Sequence, residues 1–143
     1  MKLTVIIPVY NEIEYIDILL KKVLATSVDK QIIVVDDFSE DGTREKLIND
    51  YKNKIQKLIL HDKNQGKGSA IKSAQKYIIG EYVIIQDADL EYDPDQYELF
   101  LNEVNKTNNT VIYGSRVLKK NKFKNVQNFS HKTRIWGNML LTY

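Results

Sequence analysis

The chain has no cysteine, which excludes a disulfide framework and a thiolate zinc site. It has two prolines and one tryptophan. No apolar run reaches the roughly 18 residues that a membrane-spanning helix needs. Nothing in the opening MKLTVIIPVYNE resembles a secretory leader, because a single lysine is followed by a short β-type run and then by polar residues. A cytoplasmic location is therefore expected. The pattern GxxxxGK[ST] is missing, so there is no Walker phosphate loop, and the acidic stretch near residue 90 lacks the glycine and distal glutamate of an EF-hand. Neither His61 nor His131 has a metal-ligating partner three or four residues away, and no Ser–His–Asp order can be read. The last 28 residues contain no acid at all. Seven of the 21 basic residues and none of the 19 acidic ones fall between Arg116 and Tyr143, leaving 14 basic against 19 acidic residues before them. The net charge of +2 thus hides an acidic body and a basic end. Such an end suits an anionic membrane or a phosphorylated ligand, or is simply a solvated tail.

What is present is one domain's length, 143 residues, with 43% hydrophobic residues for a core. Apolar β-branched runs alternate with helical patterns. KLTVIIPV, QIIVVDD, IQKLILHD, EYVIIQD and NTVIYGSR read as five strands. Between them, EIEYIDILLKKVLAT, the stretch after SEDGT, GKGSAIKSAQKYIIG closed by Gly80, and DPDQYELFLNEVNK with Pro94 in its first turn read as helices. Continuous Ile and Val in the second run predict a strand buried on both faces. The alternation predicts an α/β fold, Rossmann-like, with a mainly parallel sheet and helices on both faces. Ligands of such sheets sit beyond the carboxyl ends of the strands. The polar clusters PVYNE, DDFSEDGT, HDKNQGKG and DADLE all fall there.

Those clusters carry the candidate chemistry. Asp87 and Asp89, with Glu91, are carboxylates suited to a hard divalent cation, Mg2+ or Mn2+, that keeps waters and takes phosphate oxygens. The bland reading is an acidic turn capping the next helix, a role open to Asp93 and Asp95. Asp36 and Asp37 end the second strand, where a carboxylate accepts bonds from a base or ribose. Capping by Ser39, Glu40 or Asp41 belongs to the same loop. Lys67 stands between two glycines before a helix, a place that attracts anions, though a turn with a surface lysine looks the same. Tyr10 can stack on a base, and Glu12 can cap a helix or bind ribose. Arg116 is a partner for phosphate or for the acidic cluster.

Taken in order, VIIPVYNE, IIVVDDFSEDGT, HDKNQGKGSAIKSA, GEYVIIQDADLEYDP and VIYGSR resemble the family 2 glycosyltransferases of the GT-A fold. The resemblance is greatest to those that use dolichyl or polyprenyl phosphate. It implies a nucleoside-diphosphate-sugar donor, UDP-glucose or GDP-mannose, and a divalent metal. Pro8, Tyr10, Glu12, Val35 and Asp37 would surround the nucleoside. Asp87, Ala88 and Asp89 would form the DXD motif that holds ribose, diphosphate and metal. Glu91 stands where many such relatives have glutamine. Arg116 would face a phosphate in catalysis with Asp89.

On this resemblance, residues 1–116 are the donor part. Residues 117–143 begin the acceptor side at the cytosolic face of a membrane, with Phe123, Phe129, Ile135, Trp136, Met139 and Leu140 as its apolar groups. Lys132 and Arg134 would contact the acceptor phosphate. Relatives continue beyond this point, so the chain looks cut short, and a donor-binding piece without transfer is the alternative. A sugar-nucleotide pyrophosphorylase is disfavoured because VYNE lacks the glycine-rich loop. A receiver domain is disfavoured because His61-Asp62 stands where a phosphoacceptor should. Nucleic-acid binding is not expected of an acidic rim, and a homo-oligomer is compatible with the reading.

Overall fold

The structure, a computed structural model, describes residues 2–107. The sheet and the site below lie in one compact unit, Met1–Glu103, and the last helix runs on from it to Thr107. Four strands form one parallel sheet: β1 (Leu3–Val9), β2 (Lys30–Asp36), β3 (Lys57–Leu60) and β4 (Tyr82–Ile85). Their order is β3-β2-β1-β4. The expected fifth strand, NTVIYGSR, lies outside the described residues.

Period-two alternation distributes the apolar side chains between two covering layers. On one face Leu3, Val5, Ile7 and Val9 of β1 and Ile32 and Val34 of β2 join Ile16, Leu19, Leu20 and Val23 of helix α1 (Ile16–Ala25). Ile6, Ile33 and Val35 point to the other face, against Ala70 and Ala74 of helix α3 (Lys67–Ala74). β2 is buried along all but its first residue, as its unbroken Ile and Val predict. Helices therefore cover both faces.

Two helices differ from their expected form. The segment after SEDGT is a single α-helical turn, α2 (Thr43–Lys46), that widens into a π-helical turn over Leu47–Tyr51. Leu47 and Tyr51 at its two ends are both buried in the α1-side core. The helix expected to run to Gly80 stops earlier. α3 ends at Ala74, a 3-10 turn follows over Gln75–Tyr77, and Ile78 is extended.

Gly80 is not a helix cap. A Cβ there would lie 2.6 Å from the Thr4 nitrogen, so glycine is required by the close approach of the chain to β1. The buried side chains of Thr4 and Gln31 pair at 2.8 Å and take up the polar groups of this segment. Gln31 Nε2 donates to the Tyr77 carbonyl, the Ile79 amide donates to Gln31 Oε1, and the Gly80 amide donates to Thr4 Oγ1. Helix α4 (Tyr97–Thr107) follows a 3-10 turn, Pro94–Gln96, in which Asp93 accepts from the Asp95 amide.

Candidate functional site

From β1 the chain moves outward through β2 to β3, then returns across the sheet to β4 on the other side of β1. This reversal leaves a crevice between the carboxyl ends of β1 and β4, the switch point at which open parallel sheets bind ligands. An open cleft of about 240 Å3 lies there. It is lined by Pro8, Val9, Tyr10 and Glu12 after β1, Asp37 after β2, Lys67 and Ala70 on α3, and Asp87, Ala88 and Asp89 after β4.

Polar contacts bind the rim loops to one another. The Asn11 amide donates to Ser39 Oγ, the Glu12 amide to Thr43 Oγ1, and the Ile13 amide to Asp41 Oδ2. The Glu40 amide returns a bond to Asn11 Oδ1. The serine, aspartate and threonine of SEDGT thus serve the amides that lead into α1. Asp41 also accepts from Thr43 at the head of its own helix. Burial opposes ionisation of Asp41, but the bonds from Thr43 and Ile13 outweigh it and hold its carboxyl below the usual range. Among the described residues, the non-glycine residues with left-handed backbone, Asn11, Phe38 and Leu90, all sit in rim loops, where such strain tends to collect.

The adjacent acids Asp36 and Asp37 have opposite surroundings, as alternation along a strand dictates. Asp36 is fully buried and does not line the cleft. Arg44 of α2 donates to it at 2.6 Å and reaches the His61 carbonyl, while its guanidinium lies over Phe38. Val35 is core, buried with Ile6 and Ala70. Neither of these two expected nucleotide contacts is therefore at the cleft.

Asp37 is. Its Oδ1 lies 2.7 Å from His61 Nδ1, and the amides of Gln65 and Gly66 donate to the same carboxylate, the latter at 2.6 Å. Burial raises its pKa, yet the bonds from His61, Gln65 and Gly66 prevail and the net direction is down. An ionised Asp37 accepts from Nδ1–H of His61, and Nε2 faces Ser73 Oγ at 2.9 Å. Asp37 therefore shapes the glycine turn before α3 as well as lining the cleft.

The acidic turn after β4 is clipped from beneath. Gln86, 2% exposed, donates to the carbonyls of Asp87 and Tyr92 and accepts from the Tyr97 hydroxyl. β4 ends at Ile85, so Asp87 and Asp89 reach the cleft through a turn rather than along a strand. Asp89 Oδ1 accepts from the Glu91 amide, with left-handed Leu90 between them. Glu91 is not among the lining residues. Lys67 Nζ lies 2.5 Å from Asp87 Oδ1. Glu12 has its pKa raised, first by burial and then by repulsion from Asp89, Asp41 and Asp87. That repulsion marks a cleft with surplus negative charge.

Among the described residues no three acidic or imidazole groups gather to enclose a metal. Mg2+ and Mn2+ do not require such a cage, since one or two carboxylates with waters and phosphate oxygens suffice. Asp87 and Asp89 fit a site of that open kind. Arg116, Lys132 and Arg134 lie outside the described residues. Sequence reasoning missed Gln86, Arg44, Thr43 and the pairing of His61 with Asp37. The signal for Gln86 was a lone amide closing an apolar run. No helix of the described residues is long and apolar enough to cross a membrane.

The sequence model of the family described as Glycosyl transferase family 2 matches residues 4–141. A dolichol-phosphate mannosyltransferase of Pyrococcus furiosus is 32% identical over 127 residues, covering 87% of this chain and 36% of that protein. An undecaprenyl-phosphate 4-deoxy-4-formamido-L-arabinose transferase of Photorhabdus laumondii is 35% identical over 101 residues, covering 66% of this chain and 31% of that protein. The chain thus spans about a third of the length of these curated relatives. Among solved structures, S. aureus TarS superposes with a TM-score of 0.64 at 28% identity, covering 74% of this chain and 20% of that one. The mannosyltransferase PcManGT from Pyrobaculum calidifontis, in complex with GDP-Man and Mn2+, superposes with a TM-score of 0.57 at 30% identity, covering 62% of this chain and 27% of that one.

Proposed function

The chain belongs to glycosyl transferase family 2, and on that premise we propose that its cleft binds a nucleoside-diphosphate sugar for hexose transfer to a polyprenyl or dolichyl phosphate. The observation that carries the reading is the convergence of Tyr10, Glu12, Asp37, Lys67, Asp87 and Asp89 on one cleft at the switch point of the sheet. The donor is UDP-glucose or GDP-mannose. At about 240 Å3 the cleft is smaller than the roughly 300–1,000 Å3 of typical small-molecule sites, so a nucleotide sugar extends past its described walls.

In this reading Tyr10, 46% exposed, stacks on the base, beside Pro8. Asp37 has most of its acceptor capacity engaged by His61, Gln65 and Gly66, so it offers the nucleoside at most one further bond and acts mainly by fixing the turn. Lys67, at the amino end of α3, faces the diphosphate. Asp87 and Asp89 hold Mg2+ or Mn2+, which when bound supplies positive charge to the leaving diphosphate. The Mn2+ and GDP-Man bound by PcManGT support that assignment.

Transfer breaks the bond between the anomeric carbon and the diphosphate oxygen and makes a bond from that carbon to an acceptor oxygen. A lipid phosphate is ionised at neutral pH and needs no general base. Arg116 meets developing phosphate charge, and Lys132 and Arg134 of the basic segment hold the acceptor phosphate at a membrane surface. The chain spans about a third of its relatives' length, so donor binding is the property it is expected to show by itself.

Calorimetric titration with UDP-glucose and GDP-mannose, each with Mn2+ and with EDTA, tests the donor site. One donor is expected to bind in a metal-dependent way, and Asp89→Ala is expected to abolish that binding. Equal affinity of the variant would remove the metal role of Asp89. Binding of neither donor would remove the donor site.

A further inference from the structure

Resting on the donor-site reading above, we propose that Lys67 is a resident counter-ion of Asp87 that yields to the divalent cation and passes to the diphosphate. The cation then enters with the nucleotide rather than ahead of it. Lys67 Nζ lies 2.5 Å from Asp87 Oδ1, and both residues line the cleft. The ammonium thus stands on one of the carboxylates that the cation requires.

The position of this lysine is not explained by helix stability. Lys67 is the first residue of α3, and a cation in a first turn opposes the helix dipole. There are no acids in that turn to offset it. A cation at a helix amino end does serve an incoming anion, which the helix dipole attracts to the same end.

The contact is also easily exchanged. The Lys67 side chain is 56% exposed, and ion pairs so exposed are weak. Gly66 precedes it with φ +85°, Gly68 follows it, and a Cβ at either glycine would meet nothing within 4 Å. The lysine therefore emerges from uncrowded backbone with room for its long side chain to turn.

Charge accounts for the order of binding. Among the described residues the cleft wall carries Glu12, Asp37, Asp87 and Asp89 against the one lining ammonium of Lys67. Without nucleotide, Lys67 relieves part of that repulsion and competes with any divalent cation for Asp87. With nucleotide, the diphosphate gives Lys67 a second partner and gives the cation further oxygen ligands. Each ligand then raises the affinity of the other by the same factor.

The test is Mn2+ titration of the 143-residue chain followed by electron paramagnetic resonance of free Mn2+, without nucleotide and with UDP-glucose or GDP-mannose. Lys67→Gln is expected to bind Mn2+ alone about two- to fivefold more tightly, the range of an exposed ion pair. It is expected to bind the nucleotide in the presence of Mn2+ more weakly than wild type. Lys72→Gln makes the same charge change in the last turn of α3 and is expected to move both affinities less than twofold.

Opposite signs in the Lys67 variant support the exchange, because a lysine that merely steadied the loop would lower both affinities. Unchanged or weaker binding of Mn2+ alone by Lys67→Gln, in a chain that binds nucleotide with Mn2+, overturns the proposal and leaves the donor site standing. Unchanged nucleotide affinity overturns it equally. Failure of wild type to bind Mn2+ with either nucleotide overturns the donor-site reading, and the proposal falls with it.

Discussion

Asp37→Asn separates a carboxylate that folds the rim from one that serves only a ligand. Asp37 is 3% exposed and accepts from three donors, His61 Nδ1 at 2.7 Å, the Gln65 amide at 2.9 Å and the Gly66 amide at 2.6 Å. Asparagine has the same shape but one acceptor oxygen, and its NH2 group would face donors on the other side. A hydrogen bond to a charged group contributes about 1.5–3 kcal/mol, and the substitution removes one or two such bonds. The expected loss is about 3 kcal/mol at pH 7. With an m value near 2 kcal/mol/M, the urea midpoint falls by roughly 1.5 M.

The pH dependence of that gap identifies the charge as its source. The pKa of Asp37 in the folded chain lies below its ordinary 3.8. A depressed carboxylate contributes stability that is complete above its unfolded pKa and is lost as the pH falls through the folded one. The gap between wild type and Asp37→Asn is therefore full above the ordinary carboxylate range and narrows as the pH falls below about 4. Acids that do not touch Asp37 titrate in both proteins and cancel in the difference, whereas His61 faces a carboxylate in wild type alone. Urea melts followed by circular dichroism between pH 7 and pH 3 measure it. A gap that stays constant across that range would mean that shape, not charge, is what Asp37 supplies. No gap at all would refute the account of the turn.

The remaining predictions concern single contacts. Gly80→Ala places a Cβ 2.6 Å from the backbone nitrogen of Thr4 and is expected to cost about 2–3 kcal/mol. An unchanged melting temperature would mean that the segment before β4 shifts freely. Among the described residues, Arg44→Ala leaves the fully buried Asp36 with weak bonds from the Ser39 amide, at 3.3 and 3.4 Å. The Arg44 side chain is 21% exposed, so leaving Asp36 unpaired is expected to cost about 3 kcal/mol, the low end for a buried pair, and adding Asp36→Asn is expected to recover part of it. Strict additivity of the two changes in urea melts would show that they do not act as a pair.

The sheet was legible because its information is local. Five apolar runs separated by polar clusters are visible without any tertiary contact. The four runs within the described residues became the four strands of the parallel sheet. Helix ends were less legible. Gly80 looks like a cap in sequence because the features that end α3 sooner, the side chains of Thr4 and Gln31, come from β1 and β2. The π-helical turn at Leu47–Tyr51 has no local signal in its letters, since residues four apart would share a buried face in a regular helix too.

The site shows where sequence ceases to discriminate. Asp36 and Asp37 are chemically identical neighbours, and nothing in the letters DD assigns one to the core and the other to the cleft. The assignment follows from side-chain parity. Even-numbered residues of β2 face α1 and odd-numbered ones face α3, so Asp36 continues the row of Ile32 and Val34, and Asp37 the row of Ile33 and Val35. Arg44 meets the first row and the glycine turn meets the second. Parity alone also explains why moving the register of β2 by one residue would exchange the two acids. Asp37 would then meet the arginine, and the glycine turn carrying Lys67 would lose its anchor. The Ile and Val of β2, buried on both faces, tolerate either register. The distinct polar partners of the two acids, together with the pairing of Gln31 to Thr4, therefore fix the one that places Lys67 beside Asp87.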